Sequence, residues 1–172
     1  MLKIIAILII FLACTYIGFY YGENFKKRSS QLSEILKGLL LLNNEVMYTN
    51  TPLPEALRYV ALKVDYPLRN LLLKVSENLV KGECESVYEA FKTEYKKEKH
   101  EFRIIEEDKL IISDFLKSLG ESGVYGQDKI FNLAIENIKG NCKTSEVIAS
   151  KNTKMYRALG LCIGAMLSLF LM

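Results

Sequence analysis

One histidine, four cysteines and a run of three carboxylates are the side chains of this 172-residue chain with the types for catalysis or metal binding. None has the spacing. His100 stands among charges in YKKEKHEF without converging partners and reads as a solvated surface imidazole, and the charged stretch around it reads as solvated too. Cys14, Cys84, Cys142 and Cys162 lack C-x-x-C spacing and read as small hydrophobes. A Cys84–Cys142 disulfide would require an exported domain. Glu106, Glu107 and Asp108 are consecutive, and consecutive helical residues point in different directions, so the run reads as a wet helix face. GESGVYGQD, Gly120 to Asp128, has glycine at every third position, but it follows no strand and lacks the lysine and hydroxyl of a phosphate loop. It reads as a helix end and a flexible connection, retained as a candidate contact loop. No catalytic residue, cofactor or metal is expected.

The elements around these residues are helical, and two of them are apolar throughout. Ile4 to Gly22 is nineteen residues without a charge, about 28 Å of helix, close to the roughly 30 Å hydrocarbon thickness of a bilayer. Tyr16, Tyr20 and Tyr21 collect near its end, as interfacial aromatics do, and bulky GFYYGENF offers no signal-peptidase site, so the segment reads as an uncleaved anchor. Ala158 to Met172 is a second uncharged run, of fifteen residues and about 22 Å. It becomes a marginal span once Met155 and Tyr156 join it and Arg157 snorkels, with an interfacial insertion as the alternative. Lys26, Lys27 and Arg28 follow the first run, and Lys151, Lys154 and Arg157 precede the second. The positive-inside rule then expects the middle of the chain in the cytoplasm and both termini outside. From Glu23 to Arg157 there are 22 Lys and Arg against 20 Asp and Glu, a near-neutral balance that argues against nucleic acid as a partner.

Between the apolar runs helical periodicity recurs and no strand pattern appears. Leu32, Ile35, Leu36, Leu39 and Leu40 mark a first helix. Leu68 to Leu79 after Pro67, Val87 to Tyr95, Ile105 to Leu119, and Asp128 to Ala149 mark four more. TNTPLPEAL supplies another helix start: Thr51 can cap, and Pro52 and Pro54 sit in the one turn whose N–H groups lack partners. Ala56, Leu57, Val60, Ala61 and Val64 form its apolar stripe. The expected fold is all-α: a cytosolic antiparallel bundle of about six helices flanked by N- and C-terminal membrane helices. The expected boundaries are residues 1–22, 23–154 and 155–172. Gly18 with Gly22 and Gly160 with Gly164 give each apolar run a G-x-x-x-G stripe, suited to close membrane-helix packing between the anchors or onto a membrane partner.

With its N-terminal anchor, Gln31 and Leu32, Glu45, Tyr48, TPLPEAL, Leu119, Gly120, Ser122, Gln127 and the terminal KMYRALG, the chain resembles the stage III sporulation protein AB family of endospore-forming bacteria. More weakly it is similar to the cytoplasmic domains of the inner-membrane platform protein of type II secretion and type IV pilus systems. It departs from the family pattern at Gly123, where an aspartate is expected, and at Leu116, where a glycine is. The resemblance implies a non-enzymatic platform component of a secretion-like complex between mother cell and forespore. Its cytosolic bundle would dock a partner ATPase and its anchors would join membrane subunits, with homo-oligomerisation left open. It marks Pro52, Leu53, Glu55, Leu119, Gly120, Ser122, Gln127 and Lys154 as candidate partner contacts. A small channel or transporter subunit is the alternative, but such anchors should carry ionisable residues, and these do not.

Overall fold

The computed structural model describes the backbone of residues 2–121 and 124–171, and side chains over residues 8–119 and 126–170. All regular structure among them is helical: α1 (Leu2–Asn43), a π-turn (Asn44–Tyr48), α2 (Leu53–Ala61), α3 (Leu68–Lys81), α4 (Val87–Glu98), a 3-10 turn (Lys99–Glu101), α5 (Glu106–Glu121) and α6 (Val124–Leu171). The chain forms two compact units. One is a hairpin of Met1–Ser29 with Lys143–Met172; the other is a bundle, Ser30–Cys142. Residues 4–22 of the first apolar run lie in α1, of 42 residues, and residues 158–171 of the second lie in α6, of 48. Among the described residues no helix is long and apolar enough to cross a membrane.

The bundle core draws on all six helices, with Leu32, Leu57, Val60, Leu71, Phe131 and Ile138 fully buried. The stripe expected from TPLPEAL is the buried face of α2 with Val64 just beyond its end, each of its five residues at most 1% exposed. Gly38 lets α1 approach closely here. A Cβ at that position would sit 3.3 Å from Leu68 Cδ2 and 3.8 Å from the methyls of Val60 and Val64. Helix α3 ends where Gly82 enters the left-handed region at φ 68°, and the N–H groups of Gly82 and Glu83 return to Leu79 and Asn78.

Four expectations are corrected. Thr51 does not cap α2: its hydroxyl donates to Glu45 Oε2 at 3.3 Å, and Pro52 takes the cap position without a side-chain hydrogen bond. YKKEKHEF is solvated only in part. His100 is exposed, but Phe102 is 7% exposed and packs on Tyr95, ring centroids 5.1 Å apart. Asp108 is not on a wet face either. It is fully buried, accepting the N–H of Ile105 (3.1 Å) and the Asn141 side-chain amide (2.8 Å), which fastens the start of α5 to α6. Finally, the expected nine-residue connection at Gly120–Asp128 is largely helical, because α5 runs through Glu121 and α6 starts at Val124.

Buried Glu94 ties α4 to α3. Its Oε1 accepts Asn78 Nδ2 at 3.0 Å and Lys97 Nζ at 2.6 Å. Burial pushes the carboxyl up, but these hydrogen bonds outweigh it, and the group is held below its ordinary value. A depressed carboxylate stabilises the fold fully above the ordinary carboxylate range and loses that contribution as pH falls through it. Glu94→Gln is therefore expected to cost about 1–3 kcal/mol at neutral pH and to shrink the gap to wild type near pH 4. Thermal melts at the two pH values read this, and a gap that widens in acid would count against the assignment.

Candidate functional site

The residues that carry the family resemblance are largely spent on architecture. Gln31 clasps the backbone beyond α4: its Nε2 donates to Glu101 O (2.9 Å) and its Oε1 accepts the Arg103 N–H (2.6 Å). Glu45, in the π-turn, receives Thr51 through both the hydroxyl and the backbone, Thr51 N–H to Glu45 O being 3.0 Å, and lies 3.7 Å from Lys63. These contacts set the turn from α1 into α2. The two prolines then cost nothing, since Pro52 and Pro54 remove N–H donors that the first helical turn leaves unpaired anyway. Ser76, buried on α3, donates to Pro54 O at 2.7 Å and bolts that helix start to its neighbour.

With the inward face so engaged, the outward face of α2 is left to act. Glu55 and Arg58 project from α2, and Glu77, Val80 and Lys81 from α3, around a groove of about 480 Å3 between the two helices. Its walls carry both signs of charge, and Val80 is 72% exposed. Tyr59 and Leu62 extend the exposed α2 surface. Among the described residues no group of His, Cys, Asp or Glu could hold a metal ion. In the core, a void of about 50 Å3 lined by Leu57, Phe91 and Phe115 is far smaller than the roughly 300 Å3 of a small-molecule site.

The eight candidate contacts do not form one site. Pro52 and Glu55 are exposed at the start of α2, and Leu53 is half-buried against the core. Leu119 is buried in the core and Gly120 lies within α5. Gln127 is half-buried on α6, and Ser122 lies outside the described residues. Lys154 is exposed in the hairpin unit. Sequence reasoning missed Arg58, Glu77 and Lys81. Their only signal was their place on the polar side of amphipathic helices, at three- and four-residue spacing from Glu55 and from one another.

The hairpin has its own close contact. A Cβ on Gly18 would lie 2.7 Å from Tyr156 O and 2.9 Å from Gly160 Cα, and one on Gly164 3.1 Å from Phe11 Cδ2. Gly22 faces Thr153, whose hydroxyl donates to Gly22 O at 3.0 Å, so the two glycine stripes meet along antiparallel helices of one chain. Tyr156 stacks on Tyr21 and Phe25 with ring centroids 6.1 and 5.6 Å apart, and Arg157 pairs with Glu23 at 3.4 Å while lying over the Phe19 ring.

The family model described as stage III sporulation protein AB matches residues 3–172. A protein of Bacillus subtilis (strain 168) named stage III sporulation protein AB is 28% identical over 172 residues, covering all of both chains. A solved structure of a stage III sporulation protein AB superposes with a TM-score of 0.66 at 24% identity, over 72% of this chain and 97% of that one, a likeness of fold.

Proposed function

The chain belongs to the stage III sporulation protein AB family, and from that premise we propose that it is a non-enzymatic, membrane-anchored platform component of a sporulation complex, with a bundle that docks a partner ATPase. The observation that carries the reading is the hairpin surface. Outside the glycine seam the apolar side chains point outward, Leu8, Ile9 and Leu12 on α1 and Met166, Leu169 and Phe170 on α6 each being more than half exposed. Such a surface demands a cover. Going along the hairpin, exposed Tyr16, Tyr20 and Tyr21 come next and lysines after them, the order of a bilayer core, its interface and the aqueous side. Part of each apolar run, residues 1–7 and 171–172, lies outside the described side chains.

The charges orient this anchor with the bundle in the cytoplasm and both termini outside, as sporulation-platform docking of a cytosolic ATPase requires. The α2–α3 groove is the docking face in this reading, because it is a concave, exposed surface built directly on the TPLPEAL helix. One experiment tests the whole. Tagged full-length chain is extracted with detergent from membranes of sporulating cells, and its co-purifying partners are compared with those of Arg58→Glu. Wild type is expected in the membrane fraction with an ATPase bound, and the variant in the same fraction with at least about tenfold less ATPase, one charge reversal at an interface costing several kcal/mol. Recovery of the chain with soluble proteins would end the anchoring reading; equal ATPase recovery would move the docking face elsewhere.

A further inference from the structure

In the bundle about half of the positive side chains are paired with carboxylates: Lys37, Lys63, Arg69, Lys74, Lys97, Lys99 and Lys109 each lie within 4.0 Å of one. The hairpin is different. Its charged collar, residues 23–29 with 143–157, holds Lys26, Lys27, Arg28, Lys143, Lys151, Lys154 and Arg157 against Glu23 and Glu146 alone. Arg157 takes Glu23. Lys26, Lys27, Lys143, Lys151 and Lys154 are exposed, and among the described residues none has a carboxylate within ion-pair distance.

Four of these lysines fall in one band. Gly22 lies against Thr153, so Lys26 and Lys27 stand four and five residues beyond that level on α1. On antiparallel α6, Lys151 lies two residues beyond it and Lys154 one residue short. At 1.5 Å per residue the band is about 9 Å deep. The polar layer on each side of a bilayer, the difference between roughly 30 Å of hydrocarbon and 40–45 Å overall, is about 5–8 Å. Exposed Tyr21 is level with Lys154 at the edge of the band, and exposed Tyr20 sits immediately on its apolar side.

We propose that this collar is a binding surface for the phosphate headgroups of anionic phospholipids. The inference rests on the membrane reading above and names the lipid class that the anchor selects. Unpaired, mobile ammonium groups at headgroup depth gain an attraction of roughly fivefold in affinity for each lysine near a negatively charged bilayer surface. Nothing in the collar neutralises them internally, whereas a zwitterionic headgroup leaves them without a net counter-charge. The small acidic complement, Glu23 and Glu146, excludes a basic protein segment as occupant.

The test uses the purified full chain incorporated into vesicles of phosphatidylcholine alone, or of phosphatidylcholine with phosphatidylglycerol. Flotation reads anchoring, and native mass spectrometry of the detergent-extracted protein reads which lipids it retains. Wild type is expected to float with both vesicles and to retain phosphatidylglycerol over phosphatidylcholine. Lys26→Gln, Lys27→Gln, Lys151→Gln and Lys154→Gln together are expected to float equally well yet to lose that preference by at least about tenfold. Raising the salt should weaken the wild-type preference and leave the variant unmoved, and added inorganic phosphate should not displace the lipid. Equal retention of both lipids by wild type, unchanged preference in the variant, or displacement by free phosphate would each overturn the collar while the anchor stands. Failure of wild type to float with either vesicle would overturn the anchor and the collar together.

Discussion

On the proposed membrane reading, Gly160→Leu combined with Gly164→Leu is expected to leave the protein in the membrane fraction and its bundle folded, yet to lower spore yield and partner recovery by at least about tenfold. The expected loss follows from contact geometry. A single carbon on Gly160 would already be 3.0 Å from both Cys14 O and Gly18 Cα, and one on Gly164 would be 3.4 Å from Cys14 Cβ. A full leucyl group forces α1 and α6 apart by several ångströms. That separation breaks the Thr153–Gly22 hydrogen bond and the stacking of Tyr156. In lipid no hydrophobic force pulls the helices back together, because leucine is as well solvated by acyl chains as by another helix, so packing must supply the association. Insertion itself is unharmed, leucine being favourable there. Gly140→Leu is the matched control: a Cβ at Gly140 meets nothing within 4 Å, and that variant should sporulate normally. Normal spore yield from the double variant at normal protein level would show that the seam does not matter to assembly.

Phe131→Ala is the substitution expected to damage the bundle most. Phe131 is fully buried on α6 and meets Phe115 of α5 edge-on, ring centroids 4.9 Å apart. Removing the ring forfeits its transfer free energy and leaves a cavity that the surrounding core can fill only in part, a cost of about 3–5 kcal/mol. Set against total stabilities of roughly 5–15 kcal/mol, that is enough to populate the unfolded bundle at growth temperature. The melting temperature of the detergent-solubilised full chain measures it. A shift of less than a few degrees would mean that the α5–α6 interface is not part of the cooperative core.

Both expectations depend on how far local sequence rules reach. The helices were legible, because α2, α3, α4 and α5 carry clean apolar stripes and obey end rules that involve only neighbours in sequence: prolines in a first turn, Gly82 after a last one. The glycine stripes were legible as surfaces for close approach, and the tertiary structure alone supplied their mutual partner, the alternative being another membrane chain. The family was legible too, since its signature follows the chain in order from Gln31 to KMYRALG.

What the sequence by itself determined, then, is all-helical structure, the amphipathic faces, two charge-free apolar runs and a polar inventory with no catalytic spacing. Those properties depend on composition and on a 3.6-residue period, which are local. Only the tertiary structure decided the fate of individual polar groups. Asp108 reads as one of three solvated carboxylates until Asn141, 33 residues away, arrives to bury it; Thr51 reads as a cap until Glu45 takes its hydroxyl. Glu55 and Leu119 both read as contact residues, and packing left one exposed and put the other in the core. A polar or apolar side chain chooses between solvent, a distant partner and the interior by a difference of a few kcal/mol, and that difference belongs to neighbours which the chain brings together only when it folds.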